Sequence, residues 1–195
     1  MSRAKAKAST PDPLLAAVRE EVLAYGVRRA TLTSVAARAG LSRMTVYRRG
    51  GSMESLVMDA VVEEFGSLLI QAREAASGRT GLERLVASVL YAVHALAEAP
   101  LTTALRRHDP DLLLPYLFDR HGSNQNRIRA LLEDLIREGQ ADGTVRPISP
   151  ATASLVLLHA LQDFVISSEI VRKELAWDEL RGELERLVRG YLSVG

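Results

Sequence analysis

The 195-residue chain contains no cysteine. That absence removes disulfide scaffolds, thiolate zinc sites, iron–sulfur clusters and cysteine nucleophiles together, and it fits a cytoplasmic protein. Long apolar runs are also missing. The longest stretches, residues 85–97 and 155–161, are interrupted by His94 or His159 and fall short of the roughly 18 residues a membrane span needs. The basic start MSRAKAKASTPDPLL is followed by no apolar segment, so it does not read as a signal peptide. No Gly-rich phosphate loop, nucleophile elbow or acid–base set is present, and the expectation is a protein that is not an enzyme and carries no cofactor. No repeat of about 20 to 50 residues is evident, which argues against a helical solenoid.

What remains is a core-forming composition, 47% apolar and 25% charged with only 5% aromatic residues. Disordered, collagen-like and membrane-bundle classes fit it poorly. The net charge of +1 hides an asymmetry. Residues 1–56 hold 10 Lys+Arg against 4 Asp+Glu, a net of +6, and residues 57–195 hold 15 against 20, a net of −5. A basic head on an acidic body points to a head that meets a polyanion, or to an uneven scatter of surface charge.

Apolar residues recur at three-and-four spacing almost throughout, without period-2 strands, so the fold class is all-α. Asp12 and Pro13 open a first helix that stops at Gly26. Thr31 and Ser42 cap two short helices flanking Gly40 and Leu41. A long helix follows Ser52, another runs through Leu82 to Leu96, and a further one spans Ile128 to Ile136. Residues 139–150 read as a loop. Two last helices are predicted over about 151–171 and 177–192.

Residues 29–51, RATLTSVAARAGLSRMTVYRRGG, have helix-turn-helix spacing. Close crossing of two helices needs a small residue at the crossing, a left-handed turn and a stiff apolar anchor, and Ala36, Gly40 and Val46 fill those roles. The second helix then offers Arg43, Met44, Thr45, Tyr47, Arg48 and Arg49 outward, a donor-rich face suited to the DNA major groove. The bland alternative is a helical hairpin with a solvated basic face.

Residues 14–60 closely resemble the DNA-binding domain of the tetracycline-repressor (TetR) family. The resemblance rests on Gly26, on Thr31 with Val35 and Ala36, on Ala39-Gly40-Leu41-Ser42 as the turn, on Thr45 and Tyr47, and on Ser52, Glu54 and Leu56. It implies a head over residues 13–58 after a flexible basic extension (1–12), a linking helix over about 53–76, and a ligand-binding and dimerisation body over 59–195. It further implies a DNA face made by Thr31, Thr33, Ser42, Arg43, Met44, Thr45, Tyr47, Arg48 and Arg49. Independently of the resemblance, Arg3, Lys5 and Lys7 of the Ala-rich extension offer further phosphate or minor-groove contacts, or form a frayed terminus without contacts.

The same resemblance implies a sequence-specific regulator, most simply a repressor, that dimerises on near-palindromic double-stranded DNA and is released by a small-molecule effector, and the body's apolar composition favours a lipophilic one. The homodimer would form through the last two helices, with Leu155, Leu158, Leu184, Leu187 and Tyr191 as candidates. The effector would lie within residues 80–170, with Tyr91, His94, Tyr116, His159 and Gln162 as polar candidates. His159 and Asp163 stand one turn apart, but no third ligand accompanies them and no metal is expected. Two positions depart from the family: Gly50 replaces an aromatic that pins the recognition helix, and Met53 replaces a phosphate-reaching lysine. They raise the alternative of a regulator-like dimer without specific DNA binding, acting through ligand or protein.

Overall fold

The computed structural model describes residues 12–112 and 123–194. Arg3, Lys5, Lys7 and Tyr116 lie outside them. Ten helices are present among the described residues: α1 (Pro13–Tyr25), α2 (Leu32–Ala39), α3 (Arg43–Gly50), α4 (Met53–Glu74), α5 (Gly81–Glu98), α6 (Pro100–His108), α7 (Ser123–Ala141), α8 (Pro150–Ile166), α9 (Ser168–Glu174) and α10 (Trp177–Leu192). A single 3-10 turn, Pro110–Leu112, follows α6. The only β pairing in the described residues is an isolated antiparallel bridge between Val145 and Ser193.

Local chemistry sets the helix starts. The side chains of Asp12, Thr31, Ser42, Ser52, Thr80 and Ser149 each accept a backbone N–H in the first turn of the helix they open. Such caps satisfy donors that no intrahelical carbonyl can reach. Gly40 ends α2 at φ 66°, ψ 28°, the left-handed region that a side chain would resist.

Two cores follow. One joins Leu14, Val18 and Val22 of α1 with Val35, Val46, Leu56 and Val57, and it also takes in Leu101 and Leu105 of α6. The other unites α5, α7, α8 and α10 through residues such as Leu85, Val89, Leu135, Ile136, Leu157 and Leu184. The long α4 runs along both groups, so its first half is head core and its second half is body wall.

The last third departs from the sequence reading in two ways. Helix α7 continues through Gly139 to Ala141, because Gly139 is where α7 passes α5 at closest approach: a Cβ at Gly81 would clash with the Gly139 backbone. There Asp142 Oδ2 and Thr144 Oγ1 accept the first N–H groups of α5, from Gly81 at 2.5 Å and Leu82 at 3.1 Å. The helix expected over 151–171 is instead two, α8 and α9, which meet at a bend of 73°. The Val165 carbonyl near the break accepts a hydrogen bond from Arg106 Nη1 at 2.5 Å, and Ser167 Oγ bonds Asp163 Oδ1 at 3.1 Å. Arg106 from α6 and the local Ser167–Asp163 bond together compensate the break. No single helix among the described residues is long and apolar enough to cross a membrane.

Candidate DNA-reading face and effector cavity

The head is assembled so that α3 stands out. Val46 is its one fully buried side chain, the anchor that seats the helix beneath α2. Arg38 of α2 reaches Glu21 at 3.0 Å and Glu20 at 3.1 Å on α1, an arrangement that raises the arginine's pKa through the Glu21 hydrogen bond first and the Glu20 bond second. Fixed this way, α2 carries α3 at a set angle.

Along α3 the expected groove residues divide by role. Arg43 and Arg48 are exposed, and among the described residues no carboxylate pairs with either. Met44 and Tyr47 are 66% and 61% exposed, large apolar surfaces left in water on an otherwise basic helix. Thr45 is half-buried, its hydroxyl 2.8 Å from Ser42 Oγ, which also accepts the Thr45 N–H at 3.1 Å. Thr31 and Thr33 are exposed at the start of α2. There Thr31 and Ser34 exchange side-chain and backbone hydrogen bonds at 3.1 and 3.2 Å.

Arg49 has a different role from the one its sequence position gave it. Its guanidinium turns back to the Asp12 carboxylate at the start of α1. Burial pushes the Asp12 carboxyl up, but the bonds from Arg49 and the Leu14 N–H outweigh it and hold the group below its ordinary range. The pair ties the end of α3 to the beginning of α1, so Arg49, unlike Arg43 and Arg48, already has a carboxylate partner.

The two departures also acquire a physical reason. Gly50 lies against Leu56, and a Cβ at position 50 would fall within 3.0 Å of three Leu56 carbon atoms. Leu56 is 1% exposed and Met53 9%. Leucine and methionine therefore fill the space under the α3–α4 turn, where a bulkier residue at position 50 is excluded. The turn itself needs Gly51, at φ 68°. The end of α3 therefore packs against α4 through Leu56, where the family's aromatic would not fit without displacing it.

Below the head lies a cavity of about 510 Å³. Its wall is mostly apolar, with aliphatic residues such as Val61, Val89, Leu132, Leu157 and Leu161 and the ring of Phe65. It begins on α4, at Met58, earlier in the chain than the 80–170 range expected. Of the polar candidates, Gln162 lines it. Tyr91 is exposed and donates to Gln71 Oε1 at 2.6 Å, and His94 is exposed and stacks on Trp177 with ring centroids 4.3 Å apart. His159 is exposed on α8. These three face away from the cavity because on α5 and α8 the inward stripe is aliphatic. Besides Gln162, the polar lining comes from Ser88, Thr102, Arg106, Asn124, Gln125, Ser167 and Glu169, which the sequence reading missed. Thr102 and Arg106 stood one turn apart on a short, proline-opened helix, the only sequence clue available.

Helix α6 serves both halves. Leu101 and Leu105 face the head core while Thr102 and Arg106 face the cavity. Just past its end, buried Asp109 accepts the Val27 N–H at 3.2 Å and lies 3.5 Å from Arg28 Nε, in the segment between α1 and α2. At its start, buried Glu64 of α4 lies 3.5 Å from Arg19 of α1 and accepts the Leu101 and Thr102 N–H groups. Burial dominates and raises the Glu64 pKa, opposed by Arg19 and those N–H groups. Helix α6 is thus tied to the head at both of its ends.

Of the expected dimer residues, Leu158 and Leu184 are buried within this chain, at 5% and 1% exposure, and belong to its own core and cavity wall. Tyr191 is half-buried with the Arg146 guanidinium 5.0 Å from its ring centre. Leu155 and Leu187 remain outside, 37% and 41% exposed, and Val156 joins them at 43%.

Comparisons with known proteins agree with this anatomy. A family model described as tetracyclin repressor-like, C-terminal domain, matches residues 78–165. An uncharacterised HTH-type transcriptional regulator of Mycobacterium bovis is 28% identical over 192 residues, covering 98% of this chain and 99% of the relative. Among solved structures, one described as the molecular basis for control of antibiotic production by bacterial hormones superposes with a TM-score of 0.67 at 24% identity, covering 93% of this chain and 96% of that one. The Bacillus subtilis regulator FadR, in complex with stearoyl-CoA, superposes at 0.64 with 14% identity, covering 92% and 97%. At those identities the structures speak for the fold. With a protruding basic helix-turn-helix, a tetracyclin repressor-like family model over residues 78–165 of the body, and helix-turn-helix regulators similar along nearly the whole length, the chain is similar to transcriptional regulators of the tetracycline-repressor (TetR) type.

Proposed function

We propose that the protein is a homodimeric, cytoplasmic repressor that binds a near-palindromic operator with one α3 per protomer and leaves it when a small apolar effector fills the body cavity. The observation that carries the reading is the solvent face of α3, where unpaired Arg43 and Arg48 flank exposed Met44 and Tyr47. Arg43 and Met44, near the helix N-terminus, read base edges, and Tyr47 and Arg48 hold phosphates. Thr31 and Thr33 add phosphate contacts from the start of α2.

Dimerisation supplies the second reading helix at the roughly 34–36 Å spacing of successive major grooves. The exposed apolar stripe of Leu155 and Val156 on α8, with Leu187 on α10, supports that partner face. Release works through α6. An effector pressing on Thr102 and Arg106 displaces Leu101, Leu105 and Asp109, which move the head and misalign the two α3 helices. Selection of duplexes from a random pool, followed by footprinting, tests the reading. It predicts a protected near-palindrome, and a pool with no enriched sequence would refute it.

A further inference from the structure

The cavity wall is mostly apolar, and its buried polar atoms without partners lie on α6 and the first turn of α7. Thr102 and Asn124 there are 6% and 4% exposed. Thr102 Oγ1, Asn124 Oδ1 and Arg106 Nε are buried and have no hydrogen-bond partner among the described residues. Thr102 and Arg106 lie one turn apart on the same face of α6.

Arg106 is already committed at its other nitrogens. Nη1 donates to the Val165 carbonyl at 2.5 Å, and Nη2 donates to the Ala97 carbonyl at 2.9 Å and to Thr103 Oγ1 at 3.1 Å. Every one of those partners is neutral. Among the described residues no carboxylate pairs with Arg106, and Glu169, which shares the cavity wall, is held by Arg107 at 2.8 Å. A half-buried guanidinium whose buried Nε–H lacks a partner, and on which Glu169 and Glu98 act without forming an ion pair, lines one cavity with two more unpaired buried polar groups, an arrangement that protein interiors rarely leave unfilled.

We infer that the cavity takes an aliphatic monocarboxylic acid, its carboxylate set among Arg106, Thr102 and Asn124 and its chain along the aliphatic wall. Arg106 Nε–H and the Thr102 hydroxyl donate to the carboxylate. The Asn124 amide, turned so that its NH2 faces the cavity, supplies a third donor. A carboxylate has lone pairs for all three and neutralises the arginine, whereas an alcohol satisfies one or two and leaves the charge bare. The aliphatic wall suits a flexible chain, and the volume is in the range of sites for small ligands. This inference rests on the effector reading above and names the class of molecule the effector is.

The test is calorimetric titration of the full chain with sodium decanoate, 1-decanol and decanoyl-coenzyme A at about pH 7.5, where the free acid is ionised. Decanoate binds at least about tenfold more tightly than decanol. Thr102→Val, which keeps the side-chain shape, and Arg106→Met each remove most of that preference, and Arg106→Lys keeps part of it. Arg106 also holds the bend between α8 and α9, so Thr102→Val is the decisive variant where Arg106→Met fails to fold. Equal affinity for acid and alcohol, no decanoate binding up to about 1 mM, tighter binding of the thioester, or a preference intact in Thr102→Val would each overturn the inference.

Operator release is read separately, by anisotropy on the selected duplex. Decanoate that binds with the expected preference but leaves DNA bound supports the acid site and overturns the effector reading. Release by decanol as readily as by decanoate keeps the effector reading and overturns the acid site.

Discussion

Gly50 and Leu56 occupy one another's space: the leucine side chain lies where a Cβ on residue 50 would have to go. Two helices meet there, and the contact sets how α3 leaves the head. Gly50→Ala is therefore expected to cost about 1–3 kcal/mol by overpacking, and Gly50→Phe more. Leu56→Ala alone should cost about 2–5 kcal/mol through the cavity it leaves. The pair Gly50→Phe with Leu56→Ala should be more stable than the sum of the two losses, because the ring enters the vacated space. Urea unfolding followed by circular dichroism checks this, and strict additivity would place the two residues out of contact.

Glu64 gives a pH dependence with a definite sign. Burial raises its folded pKa above the ordinary carboxylate value, so the folded state holds the proton more tightly than the unfolded chain. Its stabilising contribution is full below the unfolded pKa and is lost as pH rises through the folded one. Above that window the buried charge is a liability, with Glu64 Oε2 unpartnered. Glu64→Gln, which keeps an acceptor for the α6 N–H groups, should be at least as stable as the parent at pH 7, with the advantage shrinking towards pH 4. Thermal melts across that range read it, and a penalty at pH 7 would mean that the Arg19 attraction outweighs burial.

Asp109 joins the end of α6 to the Val27 N–H. Asp109→Ala leaves that buried donor unpaired, at a cost of about 1–3 kcal/mol. The larger consequence is in coupling. The variant should bind operator within about threefold of the parent and bind effector normally, yet release DNA far less when effector is added. Anisotropy with and without effector measures it. Unchanged release would move the coupling to another route.

The exposed stripe of α8 and α10 separates association from folding. Leu155→Glu with Leu187→Glu should leave the helical signal and melting temperature of a monomer while abolishing the dimer in sedimentation. Leu184→Ala, buried at 1% exposure, should cost about 2–5 kcal/mol before association is affected. A double glutamate variant that still sediments as a dimer would put the interface elsewhere.

Much of the head is legible in the sequence because its determinants are local: Asp12, Thr31, Ser42 and Ser52 are caps, Gly40 is a left-handed turn, and Val46 is an anchor within its own helix. The body is not, because its determinants are long-range. Nothing near Ser167 in the chain announces that Arg106, some 60 residues earlier, will hold the Val165 carbonyl at the bend. Arg49 looked like one more groove cation until Asp12, 37 positions away, came beside it. Leu158 and Leu184 carry the same apolar label as Leu155 and Leu187, and only packing tells which pair faces inward. Thr102 and Arg106 matter because of what α6 touches on its other side.

The most direct test of the central claim is anisotropy of the full protein on its selected duplex and on random duplex at two salt concentrations, with Arg43→Ala and Arg48→Ala alongside. The selected duplex should bind about a thousandfold or more tightly than random DNA. Arg43→Ala should relax preference at one half-site position, and Arg48→Ala should weaken binding to every sequence and flatten the salt slope by about one unit. Weak binding that salt erases, equal on both duplexes and indifferent to Arg43, would contradict it.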